Sequence, residues 1–459
     1  MTAHTLDNPY TGETFDVPVT DEASLDRTLD AARKAARALA SMSVEERIAL
    51  CDRALAKMEA RTDEIGADIT RSMGKPLSQA KGEVGGMAGR WRHMQSIAKE
   101  ALADVVLPKE GFDRRIVKTP LGVVLDLPAW NYPLLTAVNA IVPAVLAGNA
   151  VVVKHAPRTP NCGAHFARAF AEAGAPEGTV GAVFFDYART EKLVADPRID
   201  HVLFTGSVHG GHRIQAAARE RFLHVGLELG GNDPAYAAAD CDVAKTVENV
   251  VDGAIYNAGQ SCCAVERVYV HRSVYEDFVA AAEPLVRAYV LGDPDDAKTS
   301  LGPIAQPNHP AELEAFVKDA VAKGAKLVAG GKATQVDGKG RFFEATLLRD
   351  VPQAADLMQR ESFGPILAIA VVDSDEEALE KMNASSLGLT ASVWTKDRER
   401  AERMARALDF GTVYMNRCDA LDPALPWTGA KDSGRGVTLS TLGFDALTRP
   451  KAIHFRLAL

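Results

Sequence analysis

Three short segments carry side chains whose chemistry could be combined in one reaction. Cys262 lies in GQSCCAV, just before an apolar run, so we expect it on a loop where its thiolate could attack a substrate. Glu228 ends the apolar run in LELGG, where apolar surroundings could raise its pKa and let it serve as a general base. Asn131, between two prolines in LPAWNYP, could donate an amide N–H to a developing oxyanion. Taken singly, these residues are better explained by structural roles: a buried thiol, a solvated glutamate and an Asx turn.

A fourth segment could bind phosphate. In HVLFTGSVHGG an apolar run leads into Gly206 and Ser207 and then into a helical segment, whose first backbone N–H groups could hold a pyrophosphate. The G-x-G-x-x-G fingerprint is absent, so this is weak evidence for a dinucleotide site of the usual Rossmann type. Lys154 follows another apolar run, in AVVVKHA, and places a cation at a strand end. No cysteine pair has the Cys-x-x-Cys spacing of a zinc site, and no metal is expected.

The elements that must position these residues follow from the hydrophobic pattern. The first hundred residues look helical, with a capping-box pattern at Ser43 and Glu46. Further on, short apolar runs alternate with segments of helical length, which is typical of parallel βαβ units. The first series of predicted strands spans 123–127, 150–153, 201–205 and 225–229, and the second 267–271, 366–372, 391–394 and 412–415. Two α/β domains meeting near residue 231 account for both series, and residues 451–459 could form an edge strand that pairs with another subunit.

Composition and charge exclude several classes of protein. The chain has 459 residues, 47% hydrophobic and 25% charged, which fits a globular protein of two or three domains. Its net charge is 52 − 61 = −9 without a basic stripe, so nucleic acid is not expected as a partner. The most apolar stretch, residues 136–153, is broken by Pro143 and Gly148, so no membrane span is expected. The N-terminus lacks the features of a signal peptide, and with free thiols this predicts a cytoplasmic protein.

The order and spacing of the motifs resemble the aldehyde dehydrogenase superfamily. The interval from Glu228 to Cys262, 262 − 228 = 34, is the family's usual one. The resemblance extends over roughly residues 8–455. The matching segments are WNYP at 130–133, VVVK at 151–154, FTGS at 204–207, LELGG at 227–231, GQSC at 259–262, ESFGP at 361–365, and Asn416 followed by WTGAKDSGRG at 427–436.

The resemblance implies an α/β fold with two Rossmann-like domains and a β-strand oligomerisation element. Residues 1–101 and 121–230 are then expected to form the dinucleotide-binding domain, and 231–440 the catalytic domain. Residues 102–120 and 441–459 would form the oligomerisation element of a homodimer or homotetramer.

The resemblance also implies a reaction. Cys262 would attack an aldehyde to give a thiohemiacetal and later a thioester, while Asn131 and the Cys262 backbone N–H hold the oxyanion. Glu228 would activate the water that hydrolyses the thioester to a carboxylic acid. Two alternatives are a coenzyme A-acylating enzyme, whose family members usually lack this glutamate, and a non-catalytic structural or binding member, which would be free to lose all three residues.

The cofactor implied by the resemblance is NAD or NADP. Strictly NAD-using members often carry a glutamate three residues after the lysine, where this chain has Pro157 followed by Arg158. We therefore expect NADP to be accepted, with Arg158 near its 2′-phosphate, although Arg158 could equally be a solvated surface residue. The other implied cofactor-binding residues are Trp130, Lys154, Gly206, Ser207, Glu361 and Phe363.

The implied aldehyde tunnel looks polar, which suggests a semialdehyde or another polar aldehyde. Arg417 could bind a negatively charged substrate tail, or it could instead pair with Asp419 or Asp422 on its own loop. Some members relay protons through a lysine and a glutamate, and this chain has Ala140 and Thr438 at those positions. That relay is missing, so the resemblance does not indicate how a proton leaves Glu228. The residues expected to line the tunnel are Tyr132, Thr136, Asn139, Ser261, Cys263, Arg417 and Trp427.

Overall fold

The computed structural model describes residues 3–457, and the first hundred of them are mostly helical, as their apolar spacing predicts. The capping box is present: the Ser43 side chain accepts from the Glu46 N–H, and the Glu46 carboxylate accepts from the Ser43 N–H. An antiparallel hairpin that the apolar spacing did not predict precedes these helices. Its strands are β1 (Ala3–Asp7) and β2 (Thr14–Pro18), and the helices are α1 (Glu22–Ser41), α2 (Val44–Glu59), α3 (Thr62–Met73) and α4 (Leu77–Ala101).

The first series of predicted strands forms one sheet. After β3 (Val105–Val106) and β4 (Phe112–Pro120), its elements are β5 (Val123–Leu127), α5 (Pro133–Leu146), β6 (Ala150–Val153), α6 (Asn161–Glu172), β7 (Val180–Ala182), α7 (Tyr187–Ala195), β8 (His201–Thr205), α8 (Val208–Ala217) and β9 (His224–Glu228). The strands pair in parallel in the order β9-β8-β5-β6-β7. From β5 the chain runs outward to β7 and then returns to β8 on the other side. Ligands bind at such a switch point, at the carboxyl ends of the strands, where Asn131, Lys154, Ser207 and Glu228 lie.

The second series forms a seven-stranded sheet in the order β12-β15-β16-β11-β10-β18-β19, parallel except for β12. Its first elements are β10 (Asp233–Ala237), α9 (Val243–Ile255), β11 (Val265–His271), α10 (Tyr275–Arg287), α11 (His309–Ala322), β12 (Lys326–Ala329), β13 (Ala333–Val336), β14 (Lys339–Phe343) and β15 (Thr346–Arg349). The remaining ones are β16 (Ile366–Val372), α12 (Asp375–Asn383), β17 (Leu387–Gly388), β18 (Thr390–Trp394), α13 (Arg398–Ala407) and β19 (Thr412–Met415).

The C-terminal elements return to the first half of the chain. They are β20 (Ala430–Lys431), β21 (Gly434–Arg435), α14 (Ser440–Ala446) and β22 (Thr448–Arg456). β21 pairs with β9, so a strand expected in the catalytic domain extends the first sheet. β22 pairs along its whole length with β4 in a three-stranded antiparallel sheet with β3. The edge strand predicted at 451–459 thus begins earlier, and residues 458–459 lie outside the described part of the chain.

Each large sheet has its own apolar core. One core draws mainly on residues 25–229 and the other on residues 235–408. These separate cores support the proposal that the two domains meet near residue 231. No helix within residues 3–457 is long and apolar enough to cross a membrane.

Candidate active site

Two cavities meet at the three residues that the motifs single out. One has a volume of about 470 Å³ and lies over the carboxyl ends of β5, β6, β8 and β9. The other, of about 310 Å³, opens between α4, α5 and the loop that carries Cys262. Asn131, Glu228 and Cys262 line both. A ligand in one cavity can therefore meet a ligand in the other at the Cys262 thiol.

A constrained turn presents Cys262. Between α9 and Gln260, Asn257, Ala258 and Gly259 have φ values of 54°, 57° and 67°, in the left-handed region. Only glycine adopts that region freely, and a Cβ on Gly259 would lie 2.1 Å from a backbone oxygen. The Asn257 amide holds the turn by donating to the backbone oxygens of Asn131 and Gln260, each at 3.1 Å. Because strain of this kind persists only where its surroundings enforce it, the loop is a well-determined platform for the thiol.

Asn131 is fixed from two directions. Its Nδ2 donates to the Gln260 backbone oxygen at 3.1 Å, which leaves the second hydrogen of the amide for a ligand. The start of α5 is held by the carboxylate of Glu83, which accepts from the N–H groups of Leu134 at 2.8 Å and Leu135 at 3.3 Å. Glu83 forms a fully buried ion pair with Lys75. The oxyanion-binding amide predicted from sequence thus lies on a rigid support.

The residues beside Cys262 share one carboxylate. The Ser261 hydroxyl and the Cys263 thiol both donate to Oδ1 of Asp419, at 3.1 and 3.0 Å. Burial raises the pKa of Asp419 to about 6. The hydrogen bond with Cys262, followed by burial, raises the pKa of the Cys263 thiol well above its ordinary value. Cys263 therefore stays protonated, while Cys262 is the partly exposed thiol of the pair.

Glu228 has the properties that a general base needs. It lies at the end of β9, where Oε1 accepts a hydrogen bond from the Thr438 hydroxyl and Oε2 accepts one from Thr205 at 3.4 Å. Burial raises its pKa to about 6, and the Thr438 hydrogen bond and the charge of Arg90 act in the opposite direction. A carboxyl with this pKa is ionised at neutral pH and can still hold a proton transiently.

The larger cavity has donors suited to a dinucleotide. Six of the predicted cofactor-binding residues line it: Trp130, Lys154, Gly206, Ser207, Glu361 and Phe363. Ser207 caps α8, and the free N–H groups at the start of this helix could bind an anion. Glu361 accepts from the Gly231 N–H at 3.0 Å, and a Cβ on Gly230 would lie 2.3 Å from its carboxylate, so a side chain there would displace the carboxylate. Burial lowers the pKa of Lys154 to about 8.

The prediction for Arg158 was wrong. Its side chain is 6% exposed and does not line the cavity, because its guanidinium donates to the carboxylate and the backbone oxygen of Asp7, at 2.5 and 2.6 Å. Asp7 belongs to the hairpin that the sequence analysis missed. The arginine that does line the cavity is Arg213 on α8, half exposed and paired with Glu191. No motif contains Arg213, although its place one turn beyond the Gly210-Gly211 pair could have suggested it.

The prediction for Arg417 was also wrong. The other residues expected in the aldehyde tunnel line the smaller cavity: Tyr132, Thr136, Asn139, Ser261, Cys263 and Trp427. Arg417 is exposed and does not line it. It forms no ion pair with Asp419 or Asp422 in the described region, so both readings of this residue fail.

The cation in the smaller cavity is Arg90, which sequence reasoning missed. Its Nη1 donates to the Leu135 backbone oxygen at 3.1 Å and to the Asn139 side chain at 3.2 Å. Gly86 and Gly82 line the same cavity about one and two turns earlier on α4. Glycines inside a helix usually have a packing or functional reason, so KGEVGGMAGR was the available signal. The same cavity also contains Asp252, Tyr256 and Asp419.

Comparisons with known proteins agree with this geometry. Residues 2–453 match the model of the aldehyde dehydrogenase family. A succinate-semialdehyde dehydrogenase [NADP(+)] from Deinococcus radiodurans is 35% identical over 97% of this chain and 94% of its own length. An NAD-dependent aldehyde dehydrogenase from Sinorhizobium meliloti superposes with a TM-score of 0.95 at 29% identity, over 100% of this chain and 92% of that one. Lactaldehyde dehydrogenase from Escherichia coli gives 0.94 at 30% identity, over 99% and 96%.

Proposed function

Because the chain belongs to the aldehyde dehydrogenase family and oxidises an aldehyde with NAD or NADP, we propose that its substrate is a semialdehyde, with a carboxylate at its other end. The observation that carries this proposal is Arg90 in the smaller cavity. Its Nε and Nη2 groups make no hydrogen bond to any described residue and can bind a carboxylate as a pair. The substrate named for the Deinococcus radiodurans relative supports the same class.

The catalytic roles follow from the positions of three side chains. The thiolate of Cys262 attacks the aldehyde carbon, and the Asn131 amide and the Cys262 backbone N–H stabilise the resulting oxyanion. A nicotinamide bound in the larger cavity would supply the hydride acceptor, and Cys262 would then hold the acyl group as a thioester. Glu228 then takes a proton from the water that attacks the thioester, and the carboxylic acid leaves. Retention of Glu228 favours hydrolysis over transfer to coenzyme A.

We also propose that NADP is accepted at the larger cavity. Ser207 and the start of α8 would hold the pyrophosphate, and Glu361 the nicotinamide ribose. Trp130 and Phe363 have ring centroids 5.6 Å apart in an edge-to-face arrangement, and both would border the nicotinamide ring. Lys154 would bind the adenosine ribose. Arg213, and not Arg158, would lie beside the 2′-phosphate of NADP. Pro157 supplies no carboxylate to repel that phosphate.

We propose a homodimer or homotetramer that assembles through β22. One edge of this strand pairs with β4, no described strand pairs with the other, and seven of its nine residues are exposed. A free strand edge is a template for another chain. Light scattering on the purified enzyme should give two or four subunits, and Phe455→Glu, at a half-exposed position of β22, should shift the distribution toward monomer. A monomeric wild type would contradict the proposal.

We propose the cytoplasm as the site of action. The six cysteines are all free thiols, which fits a reducing compartment.

A matched pair of arginine variants tests the substrate class. Steady-state production of NAD(P)H is followed with succinic semialdehyde and with butanal, a neutral aldehyde of the same length, for wild type, Arg90→Gln and Arg417→Gln. We expect Arg90→Gln to raise KM for the semialdehyde about tenfold or more, because a charge-assisted pair is lost, with little change for butanal. Arg417→Gln, outside the cavity, should behave as wild type. An equal effect of Arg90→Gln on both aldehydes would remove the proposed anchor, and Cys262→Ser should abolish turnover of both.

A further inference from the structure

The substrate cavity contains an unpaired acceptor as well as a cation. Asp419 lines this cavity and faces the same space as Arg90. Both of its recorded hydrogen bonds, from Ser261 and Cys263, end on Oδ1. Oδ2 has no hydrogen-bond partner among the described residues. Since a carboxylate pKa of about 6 leaves the group ionised at neutral pH, the cavity offers a negatively charged acceptor.

The loop that carries Asp419 holds this carboxylate in place. Asp419 follows β19 and has a φ of 43°, in the left-handed region that aspartate tolerates better than most residues. Its two donors, Ser261 and Cys263, lie on either side of Cys262 in the chain. Asp419 is therefore tied by two hydrogen bonds to the loop that carries the nucleophile.

A semialdehyde without further polar groups can pair with Arg90 but not with Asp419. Succinic semialdehyde has a carboxylate for Arg90 but no hydrogen-bond donor along its chain. Bound there, it would leave Oδ2 of Asp419 desolvated without a partner, and its own carboxylate would be repelled by Asp419. Asp252, which lines the same cavity, adds to the excess of acidic groups over Arg90.

We propose that Asp419 is a specificity-determining residue, which selects semialdehydes that carry a hydrogen-bond donor on the carbon chain between carboxylate and aldehyde. The donor is an ammonium or a hydroxyl group, and both supply the hydrogen that Oδ2 lacks. This inference rests on the proposed oxidation of semialdehydes and narrows their class. Arg90 would hold the carboxylate, Asp419 the donor, and Cys262 would receive the aldehyde carbon.

The test compares four aldehydes that share a four-carbon chain. They are succinic semialdehyde, its 2-hydroxy and 2-amino derivatives, and butanal, and kcat/KM is measured for wild type, Asp419→Asn and Asp422→Asn. Asp422→Asn is the matched control, because Asp422 is an exposed acid on the same loop and does not line the cavity. We expect wild type to prefer at least one derivative to succinic semialdehyde, and the better derivative identifies the donor as ammonium or hydroxyl.

The Asp419→Asn variant should invert this preference. We expect kcat/KM to fall about tenfold or more for the preferred derivative, as a charged hydrogen bond is lost, and to rise for succinic semialdehyde as repulsion is removed. Asp419 also holds Ser261 and Cys263, so damage to the loop would lower all four values by the same factor. Such a uniform loss would overturn the inference, as would a wild type that prefers succinic semialdehyde to both derivatives. The semialdehyde proposal is tested separately, by the effect of Arg90→Gln on carboxylate-bearing aldehydes against butanal.

Discussion

The hydroxyl of Thr438 donates a hydrogen bond to Oε1 of Glu228. The family resemblance implies a relay glutamate at this position in some members, whereas this chain has the neutral donor Thr438 behind the base. A hydrogen bond to the ionised form of Glu228 lowers its pKa, whereas a carboxylate at this place would raise it. Burial raises the pKa of Glu228 and the Thr438 hydroxyl lowers it, and the resulting pKa is about 6.

The first prediction concerns the pH dependence that follows from this contact. Glu228 must be ionised to accept a proton, so turnover should fall as pH drops through about 6 wherever thioester hydrolysis limits the rate. Thr438→Val keeps the shape of the side chain and removes the donor, so the pKa of Glu228 should rise by roughly half to one unit. The acidic limb of the kcat profile should move to higher pH by that amount. An unshifted limb would show that another group controls it.

A second prediction separates the two halves of the reaction. In Glu228→Gln the attack by Cys262 and the oxidation should still proceed, but hydrolysis of the thioester should slow by a factor of about 10² to 10⁴. Rapid mixing should then give a burst of NAD(P)H close to one equivalent per active site, followed by a slow steady state. Cys262→Ser is the comparison and should give no burst. If Glu228→Gln also gave none, Glu228 would be needed before the thioester forms.

A third prediction uses two arginines to test the cofactor site. Arg213 lines the dinucleotide cavity, whereas Arg158 is committed to Asp7. Arg213→Gln should therefore raise KM for NADP about tenfold and leave KM for NAD nearly unchanged, since only NADP carries the extra phosphate. Arg158→Gln should leave the NADP-to-NAD ratio unaltered and lower Tm, because the buried side chain then no longer holds the N-terminal hairpin. A change of cofactor ratio in Arg158→Gln alone would reverse this assignment.

The fold was largely predictable because most strands of its two large sheets are short, apolar and largely buried. The runs at 123–127, 150–153, 201–205, 366–372 and 412–415 have the same bounds in the structure as in the prediction. In contrast, β1 and β2 have one buried residue each and pack against the distant Phe184, so their local pattern gave no clear signal. β21 was assigned to the other half of the chain because a two-residue strand has no periodicity to detect.

The candidate site was predictable where a residue belongs to a motif. Asn131, Glu228 and Cys262 lie in motifs, and the structure brings them to one junction of two cavities. Arg158 and Arg417 were predicted from their charge and their places beside motif residues, and adjacency in sequence does not determine which way a side chain points. Arg90 enters the cavity from a helix far away in sequence, so only the packing of α4 against α5 reveals it.

The fourth prediction concerns a buried acid that the proposed mechanism does not use. Asp126 in β5 is 3% exposed, and its Oδ2 is buried without a hydrogen-bond partner in the described structure. Burial, followed by the charge of Glu228, raises the pKa of Asp126 well above its ordinary value. Between the unfolded pKa of about 3.9 and the higher native pKa, the folded protein binds the extra proton. The free energy of unfolding should therefore fall as pH rises through that window.

The variant Asp126→Asn should not show this loss, because its amide stays neutral at every pH. We expect Tm of the variant to lie near that of wild type at about pH 4.5 and to exceed it by about 3 °C or more at pH 8. Scanning fluorimetry across this range measures the difference, and Asp422→Asn, at an exposed acid, should show a difference that barely changes with pH. A constant or shrinking gap for Asp126→Asn would mean that Asp126 is ionised in the native protein. Because Asp126 lies on the same face of the sheet as Glu228, by the register of β5, β8 and β9, its ionisation would also raise the pKa of the base.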